Sequence, residues 1–441
     1  MDAEAPTVPE PSPARQQIQE LRREMEDMDV DEGFKDEDGE MLVEVEDDGG
    51  LAESDEEELP THEDDAALKF DKHEDAVYCV AVSKAGAILS GGGDDRAWLQ
   101  PAPMGSRGAI CLEGHNDSVT ACGFSHQDSM CATGAYDGSV KLWDAASGRL
   151  LRTLEGPGDV EWLAWHPKGD VVLCGACDGT LWMWLATSGA CMRVFAGHDG
   201  AVLCGGFTCD GKKIVSGSAD GSLRVWNPRK GQCAHAFLPH KGASTDAVVM
   251  TQGAVSCIAF HPSDPDLVLG GAEDGCAALV HCSSKKLICR LEHAPTYDED
   301  EEAGAAVVSV AFAESGWCST GGADGTIKVW DISGSARLRC SLGAGGAVVA
   351  MAWRPSSLVV VACSADGCIH AWDARDGSSL LQLRGHSDAP LCLATAWAQD
   401  AIVTAGDDRT VRVFRVPSAE LPRPPPGSAP APAPAPRPPV P

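Results

Sequence analysis

The feature that most constrains this chain is a tight turn that returns at a nearly constant spacing. In the stretch TGAYDGSVKLWD, the pair Asp137-Gly138 precedes alternating apolar and polar residues that end at Trp143, a pattern typical of a β-hairpin. Eight such turns occur, and their successive spacings are 43, 41, 42, 54, 50, 42 and 42 residues. Their aspartates are Asp94, Asp137, Asp178, Asp220, Asp274, Asp324, Asp366 and Asp408. Such a period predicts a repeat architecture of eight units.

Two further signals are in phase with the turns. His115, His198 and His386 each follow a Gly and stand 22 residues before a turn Asp. A hydroxyl residue stands four positions before several of the turn aspartates, as Thr133, Ser216, Thr320 and Thr404. Most units also keep a Trp six residues after the turn Asp, whereas Val280 and Phe414 replace it in two units and Trp98 comes two positions early in the first.

Together these residues resemble the WD40 family of β-propellers, and the resemblance covers residues 66–417. It implies an all-β, eight-bladed propeller with one four-stranded blade per unit. It also implies a buried network in which the turn carboxylate orients the His, and the His bonds a hydroxyl that accepts from the Trp indole. The second and fourth units carry the complete set: His115, Thr133, Asp137 and Trp143, then His198, Ser216, Asp220 and Trp226.

Four units depart from this network. The third and seventh have Gly156 and Ala344 where the His is expected. The fifth and sixth carry His240 and His293, which the insertions 241–253 and 294–306 displace from the usual phase. We therefore expect the fold to persist with a less regular network in these blades.

The two ends of the repeat region predict how the ring closes. In WD40 proteins, the segment before the first Gly-His position is the outer strand of the preceding blade, and here Leu68 to Phe70 lie before Lys72-His73. The last unit ends near Val416 without an outer strand of its own. We expect residues 68–70 to pair beside 410–414, because closure protects strand edges from aggregation.

Charge and composition predict the outer segments. Residues 1–65 hold 26 Asp or Glu against four Lys or Arg, so we expect a mostly disordered acidic arm. A short helix is expected over 13–28, with Ile18, Leu21, Met25 and Met28 on one stripe. A nascent helix within the arm and a motif that docks on a partner or on the propeller both remain open. Residues 418–441 predict an extended, disordered Pro/Ala-rich tail.

Several functional classes are disfavoured. Because His and Asp repeat with the blade period, they indicate structural networks, and we expect no catalytic site, metal or cofactor. The 19 Cys lie in strand-like contexts such as VLCGAC, which favours reduced, buried thiols and a cytoplasmic location, with the nucleus as a further compartment.

No apolar run long enough for a membrane span and no secretory signal are present in the sequence. With a net charge of −32 and no basic stripe, direct nucleic-acid binding is not expected.

A closer resemblance lies in the third unit. GDVEWLAWHPKGDVVLCGACDGTLWMW, together with DSVTACGFSHQDSMCATG, resembles the angio-associated migratory cell protein family, and the acidic arm and the acidic insertion of the sixth unit fit it as well. The fungal members of this group are escort chaperones for a basic protein of the large ribosomal subunit, whereas animal members are linked to cell migration and angiogenesis. The resemblance implies a non-enzymatic, monomeric protein-binding platform acting as such a chaperone, or alternatively as a signalling scaffold.

The excess of acidic residues favours a cationic partner. Carboxylates and aromatic rings on one rim suit bidentate pairing with Arg and stacking on its guanidinium group. The candidate partner-binding residues stand beside the Gly-His loops or close to the turn aspartates: Asp117, Tyr136, Glu161, Trp162, Asp199, Glu273 and Asp388. For each of them, a solvated loop charge or, for Trp162, core packing is the competing interpretation.

Overall fold

The computed structural model describes residues 64–105, 108–238, 253–293 and 306–416. These residues form eight four-stranded sheets, and every strand pair within them is antiparallel. Blades 1 to 8 follow chain order, and the predicted all-β, eight-bladed architecture is confirmed. The expected helix over 13–28, the arm up to residue 63, His240, nearly all of both insertions, and the tail lie outside the described residues.

The first four blades use sixteen strands in chain order. They are β2 (Val77–Val82), β3 (Ile88–Gly92), β4 (Ala97–Gln100) and β5 (Ile110–Leu112) in blade 1; β6 (Val119–Phe124), β7 (Met130–Ala135), β8 (Ser139–Asp144) and β9 (Leu150–Glu155) in blade 2; β10 (Val160–Trp165), β11 (Val171–Ala176), β12 (Thr180–Leu185) and β13 (Ala190–Ala196) in blade 3; and β14 (Cys204–Phe207), β15 (Ile214–Gly217), β16 (Leu223–Asn227) and β17 (Gln232–Phe237) in blade 4.

The remaining strands complete the ring, and the last blade borrows one from the start of the chain. They are β18 (Val255–Phe260), β19 (Leu267–Ala272), β20 (Cys276–His281) and β21 (Lys286–Glu292) in blade 5; β22 (Val307–Phe312), β23 (Trp317–Gly322), β24 (Thr326–Asp331) and β25 (Arg337–Gly343) in blade 6; β26 (Val348–Trp353), β27 (Val359–Ser364), β28 (Cys368–Asp373) and β29 (Ser378–Arg384) in blade 7; and β30 (Pro390–Ala396), β31 (Ala401–Gly406), β32 (Val411–Arg415) and β1 (Leu68–Phe70) in blade 8. A 3₁₀ turn, Trp397–Gln399, links β30 to β31.

The core lies between neighbouring blades, and a repeated glycine sets their spacing. In five blades, a Gly three residues before the turn Asp lies in the second strand, directly against a Val in the first strand of the next blade. A Cβ on Gly134 would lie 2.7 Å from Cγ1 of Val160, and one on Gly271 would lie 2.6 Å from Cγ1 of Val307. A side chain at these positions would push the blades apart, so the glycine is required by close packing.

The outer strands face solvent and explain why their sequence pattern is weak. In β13, six of the seven residues are exposed and Phe195 is buried. The central strands are the opposite case, since all five residues of β3 and five of the six in β11 are buried. Each blade therefore takes its apolar contacts from its inner strands. Among the described residues, no helix is long and apolar enough to cross a bilayer.

The ring closes through β1, as the sequence predicted. Leu68 pairs with Val413, and Phe70 pairs with Val411, so β1 is the outer strand of blade 8. Just before β1, the Asp65 N–H donates to the Arg384 carbonyl at 2.9 Å, and the Arg384 N–H donates to the Asp65 carboxylate at 2.8 Å. The start of the described chain is thereby bonded to both blade 7 and blade 8.

Removal of residues 1–70 should expose the edge of β32 and leave the rings beside Phe70 unpacked. We expect this truncation to lose about 3 kcal/mol or more of stability, and to self-associate through the open edge. Thermal unfolding and light scattering measure both effects. The matched control is a truncation that keeps β1 and begins at residue 61. Equal melting temperatures and equal mass for the two proteins would contradict the role of β1.

Candidate protein-binding surface

In several blades, a buried chain of polar side chains holds the turn between the second and third strands. In blade 2, the Trp143 indole N–H donates to the Thr133 hydroxyl at 2.9 Å, and that hydroxyl lies 2.8 Å from Nε2 of His115. The other ring nitrogen of His115 lies 3.1 Å from the carboxylate of Asp137. Because an ionised carboxylate can only accept, Nδ1 of His115 carries the proton and Nε2 accepts from Thr133.

The same chain is present in blade 4 and, with changes, in three other blades. Nε2 of His198 lies 2.7 Å from the Ser216 hydroxyl, which also accepts from the Trp226 indole at 2.9 Å. His73 and His386 make corresponding bonds in blades 1 and 8. The His293 ring of blade 6 is turned, so that Nδ1 faces Thr320 at 2.8 Å while Nε2 faces Thr326.

Protonation follows from this geometry. Burial disfavours the charge on Asp220, but hydrogen bonds from Ser222, the Asp199 backbone and His198 outweigh it and lower the pKa to about 2. Burial lowers the pKa of His198, despite the opposing attraction of Asp220. The same balance of burial against stronger hydrogen bonds lowers the pKa of Asp137 and Asp408. Near neutral pH, the turn of blade 4 therefore holds a neutral imidazole against an ionised carboxylate.

Two further blades contain polar contacts that the repeat pattern does not predict. In blade 3, where Gly156 stands in its place, the Trp182 indole N–H donates to the Thr180 hydroxyl at 2.9 Å. In blade 5, Nη2 of Arg290 donates to the carboxylate of Asp274 at 3.2 Å and to Sγ of Cys276 at 2.8 Å. In blade 5, a guanidinium group thus bonds both the turn carboxylate and the neighbouring sulfur.

These networks bring two kinds of loop to the same end of the propeller. One is the turn that contains the Asp, and the other is the loop that leads into the first strand of each blade. Gly179 shows their contact, because a Cβ there would lie 2.9 Å from the His198 carbonyl oxygen of the next loop. We call this end of the propeller the upper rim.

All seven predicted partner-binding residues lie on or next to the upper rim. Asp199, Glu273 and Asp388 are exposed, Tyr136 is 40% exposed, and Asp117 and Glu161 are half-buried. Trp162 differs, because its ring packs against Gly175 and Gly205, and its indole N–H donates to the Val202 carbonyl at 2.9 Å. Its contacts join blades 3 and 4.

Five further residues on this end were not anticipated. Asp75, Asp159 and Asp407 are exposed, Tyr78 is 41% exposed and Asp95 is half-buried. Alignment of the units contains the signal for most of them. Asp75 shares the position of Asp117 and Asp388, two residues before the first Val or Pro of a blade, and Asp407 shares the position of Tyr136.

Carboxylates from consecutive blades lie close enough to repel one another. After burial, the largest causes that raise the pKa of Asp407 are Asp388, Asp408 and Asp75, which come from blades 8 and 1. Burial and then Asp117 of the next blade likewise raise the pKa of Asp95. Burial and then Asp159 raise the pKa of Glu161. We call the set the acidic arc, formed by Asp75, Asp95, Asp117, Asp159, Glu161, Asp388 and Asp407.

The backbone fixes several of these carboxylates. Asp75, Asp117 and Asp388 each accept a bond of 2.8 Å from the N–H of the following residue, in blades 1, 2 and 8. Tyr136 stands among them, and the pKa of its hydroxyl is raised by burial, then by Glu161 and Asp159. The exposed Lys72 and Arg409 share the rim, so carboxylates outnumber cations in this sector.

On the opposite side of the rim, the described residues carry few charges besides the turn aspartates Asp324 and Asp366. The position before the turn Asp is Ala323 in blade 6 and Ala365 in blade 7, and the loop into blade 7 contains Gly345 and Gly346. The charge therefore covers blades 8, 1, 2 and 3, and continues as single exposed carboxylates, Asp199 and Glu273, in blades 4 and 5. A partner meets an oriented surface rather than a symmetric ring.

Comparison with known proteins agrees with this architecture. The family model "WD domain, G-beta repeat" matches residues 66–99, 108–144, 148–184, 189–227, 301–331, 337–373 and 377–415. The human angio-associated migratory cell protein is 32% identical over 361 residues, which cover 79% of each chain. This chain belongs to the angio-associated migratory cell protein family of WD40-repeat proteins. The family model does not match blade 5, although the structure has four strands there.

Solved structures related to this family member share its fold. Sqt1 from Saccharomyces cerevisiae superimposes with a TM-score of 0.72 at 20% identity, covering 80% of this chain and 99% of that chain. Sqt1 from Chaetomium thermophilum, bound to the N-terminus of the ribosomal protein L10, gives a TM-score of 0.70 at 22% identity, covering 80% and 100%. The WD40 propeller is a protein-binding platform.

Loss of the shared hydroxyl should destabilise blade 2. Thr133→Val keeps the shape of the side chain but leaves Nε2 of His115 and the Trp143 indole N–H without their partner. Two orphaned buried groups at about 1–3 kcal/mol each predict a loss of about 2–6 kcal/mol in unfolding free energy. Denaturant unfolding measures it. Thr187→Val in the exposed turn between β12 and β13 is the control, expected to change stability by less than about 0.5 kcal/mol. Equal effects of the two substitutions would refute the network.

Stability should fall in two stages as pH is lowered. His198 binds its proton less readily in the folded state, so stability begins to fall as pH drops below about 6.5, the ordinary value. Asp220 has a folded pKa of about 2 against 3.8, and its carboxylate is 11% exposed. Its contribution, on the order of 2 kcal/mol, is present above about pH 4 and is lost towards pH 2. Melting temperature against pH measures both stages. Asp220→Asn should weaken the lower stage, and an unchanged curve would contradict this assignment.

Proposed function

We propose that this family member escorts a strongly basic protein of the large ribosomal subunit and holds a cationic segment of it against the acidic arc, without catalysis. The proposal rests on the continuity of the arc across blades 8, 1, 2 and 3, where burial and neighbouring carboxylates raise the pKa of Asp407, Asp95 and Glu161. An array of like charges held in place is stabilised when cations neutralise it.

The chemistry of the arc suits arginine and lysine side chains. Carboxylates can pair with guanidinium groups in bidentate fashion, and exposed tyrosine rings can stack on them. Tyr136 lies near Glu161, and Tyr78 lies near Asp75, since a Cβ on Gly93 would lie 3.0 Å from the Asp75 carboxylate and 3.3 Å from the Tyr78 ring. Each tyrosine ring therefore lies beside a carboxylate, and such a pair can contact one arginine side chain of a basic peptide.

The Sqt1 complex supports the choice of client. That protein binds the N-terminus of the ribosomal protein L10. Its similarity to this chain shows that the two proteins share a fold. The step from fold to client rests on the charge of the upper rim in this chain. Residues 1–65 add 26 acidic against four basic residues, which increases the long-range attraction for a basic polypeptide. We expect this escort to act in the cytoplasm, with the nucleus as a further compartment.

A signalling scaffold in cell migration is the second candidate. The name of the human relative, angio-associated migratory cell protein, favours it. This function predicts partners that are not markedly basic and contacts that depend weakly on salt. The two candidates therefore differ in a property that binding measurements resolve directly.

Charge reversal on the arc should weaken the capture of a basic peptide. For Asp75→Lys/Asp117→Lys, we expect about 10- to 30-fold weaker binding of a short Arg/Lys-rich peptide. Each substitution removes one attraction and adds one repulsion, each worth about 0.5 kcal/mol at an exposed site, so the double variant loses up to about 2 kcal/mol. Fluorescence anisotropy at several salt concentrations measures this effect. For the unaltered protein, we expect affinity to fall steeply with salt.

The matched control is Glu314→Lys/Asp376→Lys. Both residues are exposed and lie at turns on the opposite end of the blades, and the double substitution changes the net charge by the same amount. This control should keep nearly all of the affinity. Equal weakening by both doubles would show that net charge alone matters, and salt-independent binding would favour the scaffold. Affinity purification from growing cells then identifies the stoichiometric partner.

A further inference from the structure

Blade 7 contains a polar cluster that its network does not satisfy. Asp366, Cys368 and His370 lie at alternate positions from the turn into β28, and one ligand atom from each lies within 4.8 Å of the other two. Cys368 is 6% exposed and His370 is 9% exposed. Nε2 of His370 is buried without a hydrogen-bond partner and lies 4.0 Å from Oδ2 of Asp366. A buried, unpartnered imidazole nitrogen that faces a carboxylate needs a partner between them.

The usual imidazole is missing from this blade. Ala344 stands where His115 and His198 stand in blades 2 and 4, and the Ser364 hydroxyl donates directly to Oδ1 of Asp366. Oδ1 also accepts from the Cys368 N–H at 3.0 Å. Oδ2 is left facing the His370 ring, which is stacked on Trp372 with centroids 5.2 Å apart. The stacking orients the imidazole towards the carboxylate.

Blade 5 shows what fills the equivalent space elsewhere. It has the same Asp-Gly-Cys turn, at Asp274 and Cys276, and a cation binds both side chains, because Arg290 donates to the carboxylate and to the sulfur. Arg290 pairs with Ala278 across the sheet. At the equivalent positions of blade 7, Gln382 pairs with His370. The cation of blade 5 is thus replaced by a neutral amide and an additional imidazole.

We propose that Asp366, Cys368 and His370 form a zinc-binding site on the upper rim of blade 7. Carboxylate, thiolate and imidazole are the ligands that Zn²⁺ takes, at bond lengths of about 2.0–2.3 Å. Tetrahedral geometry then places ligand atoms about 3.3–3.6 Å apart, so the present cluster needs to contract by about 1 Å. Asp366 is 32% exposed on its side chain, which gives an ion and a fourth, water ligand access from solvent.

The surroundings of the sulfur complete the site. The Gln382 amide donates to Sγ of Cys368 at 3.6 Å, a contact that supports a metal-bound thiolate. Sγ also lies 3.9 Å from the Asp366 carbonyl oxygen. Arg384 pairs with Cys368 across the sheet, and its charge is tolerated because the two anionic ligands balance the charge of the ion. The bound ion would link Asp366 in the turn to Cys368 and His370 in β28, in a blade where Ala344 replaces the His of the usual network.

Cobalt titration of the full-length protein tests this site. After chelator treatment and dialysis, one equivalent of Co²⁺ should give visible bands of tetrahedral cobalt and a near-ultraviolet charge-transfer band from the thiolate. Zn²⁺ should displace these bands and raise the melting temperature of the protein. In Cys368→Ser the charge-transfer band should disappear, and in His370→Ala the affinity for Zn²⁺ should fall at least about 10-fold.

Cys276→Ser is the matched control, because it changes the same turn position in blade 5 and leaves blade 7 intact. It should keep the spectrum and the affinity. Circular dichroism and melting temperature without metal show whether each variant is folded. The proposal is overturned if unaltered protein gives no thiolate band with Co²⁺, or if Cys368→Ser and His370→Ala bind as tightly as Cys276→Ser. Neither result bears on the proposed escort function.

Discussion

The architecture depends on the requirement that polar groups buried in the blade turns find partners. An indole, a hydroxyl, an imidazole and a carboxylate meet this requirement for one another in blade 2, and the last member, Asp137, also accepts from the backbone of Asn116 and Ser139. The turn and the neighbouring loop are thereby locked together. Because the loops of the upper rim are held in this way, side chains that project from them keep fixed positions, and a binding surface can be built on loops without becoming mobile.

This rigidity lets the rim hold charges that repel one another. Asp75, Asp117 and Asp388 are anchored by the same backbone bond in three consecutive blades, so they cannot swing apart when neighbouring carboxylates ionise. The free energy of this repulsion is released when cations arrive. The stability of the blade interior and the proposed binding by the arc are therefore connected, since the buried networks hold the loops that carry the arc.

Much of the fold was predictable because its determinants repeat. The spacing of the turn aspartates predicted eight blades, and the missing outer strand of the last unit predicted the pairing of Leu68 with Val413. The full networks of blades 2 and 4 follow from residues at constant offsets. The contacts found in blades that depart from the repeat pattern were not predictable. In blade 5, for example, Arg290 contacts Asp274 from the fourth strand, at a position where other units have unrelated residues.

The candidate site was predictable only in part. Asp117 and Asp388 were recognisable in the sequence because they stand beside Gly-His pairs. Asp75 follows Lys72-His73 instead, and its importance becomes visible only from its neighbours in the closed ring. Asp75 and Asp407 are separated by most of the chain, and only the closure of the ring brings them close enough to interact. Trp162 could not be assigned from sequence either, because its role depends on Gly205 in the next blade leaving room for the ring.

Blade 8 combines strands from the beginning and the end of the described chain, which has a consequence for synthesis on the ribosome. Its outer strand, β1, is among the first described parts of the chain to be made, and its partner, β32, is among the last. At about 5–20 residues per second, the first strand waits roughly 20–70 seconds with an unpaired edge while the intervening blades are translated. Until β32 is made, the ring cannot close and the nascent protein is an open arc of sheets.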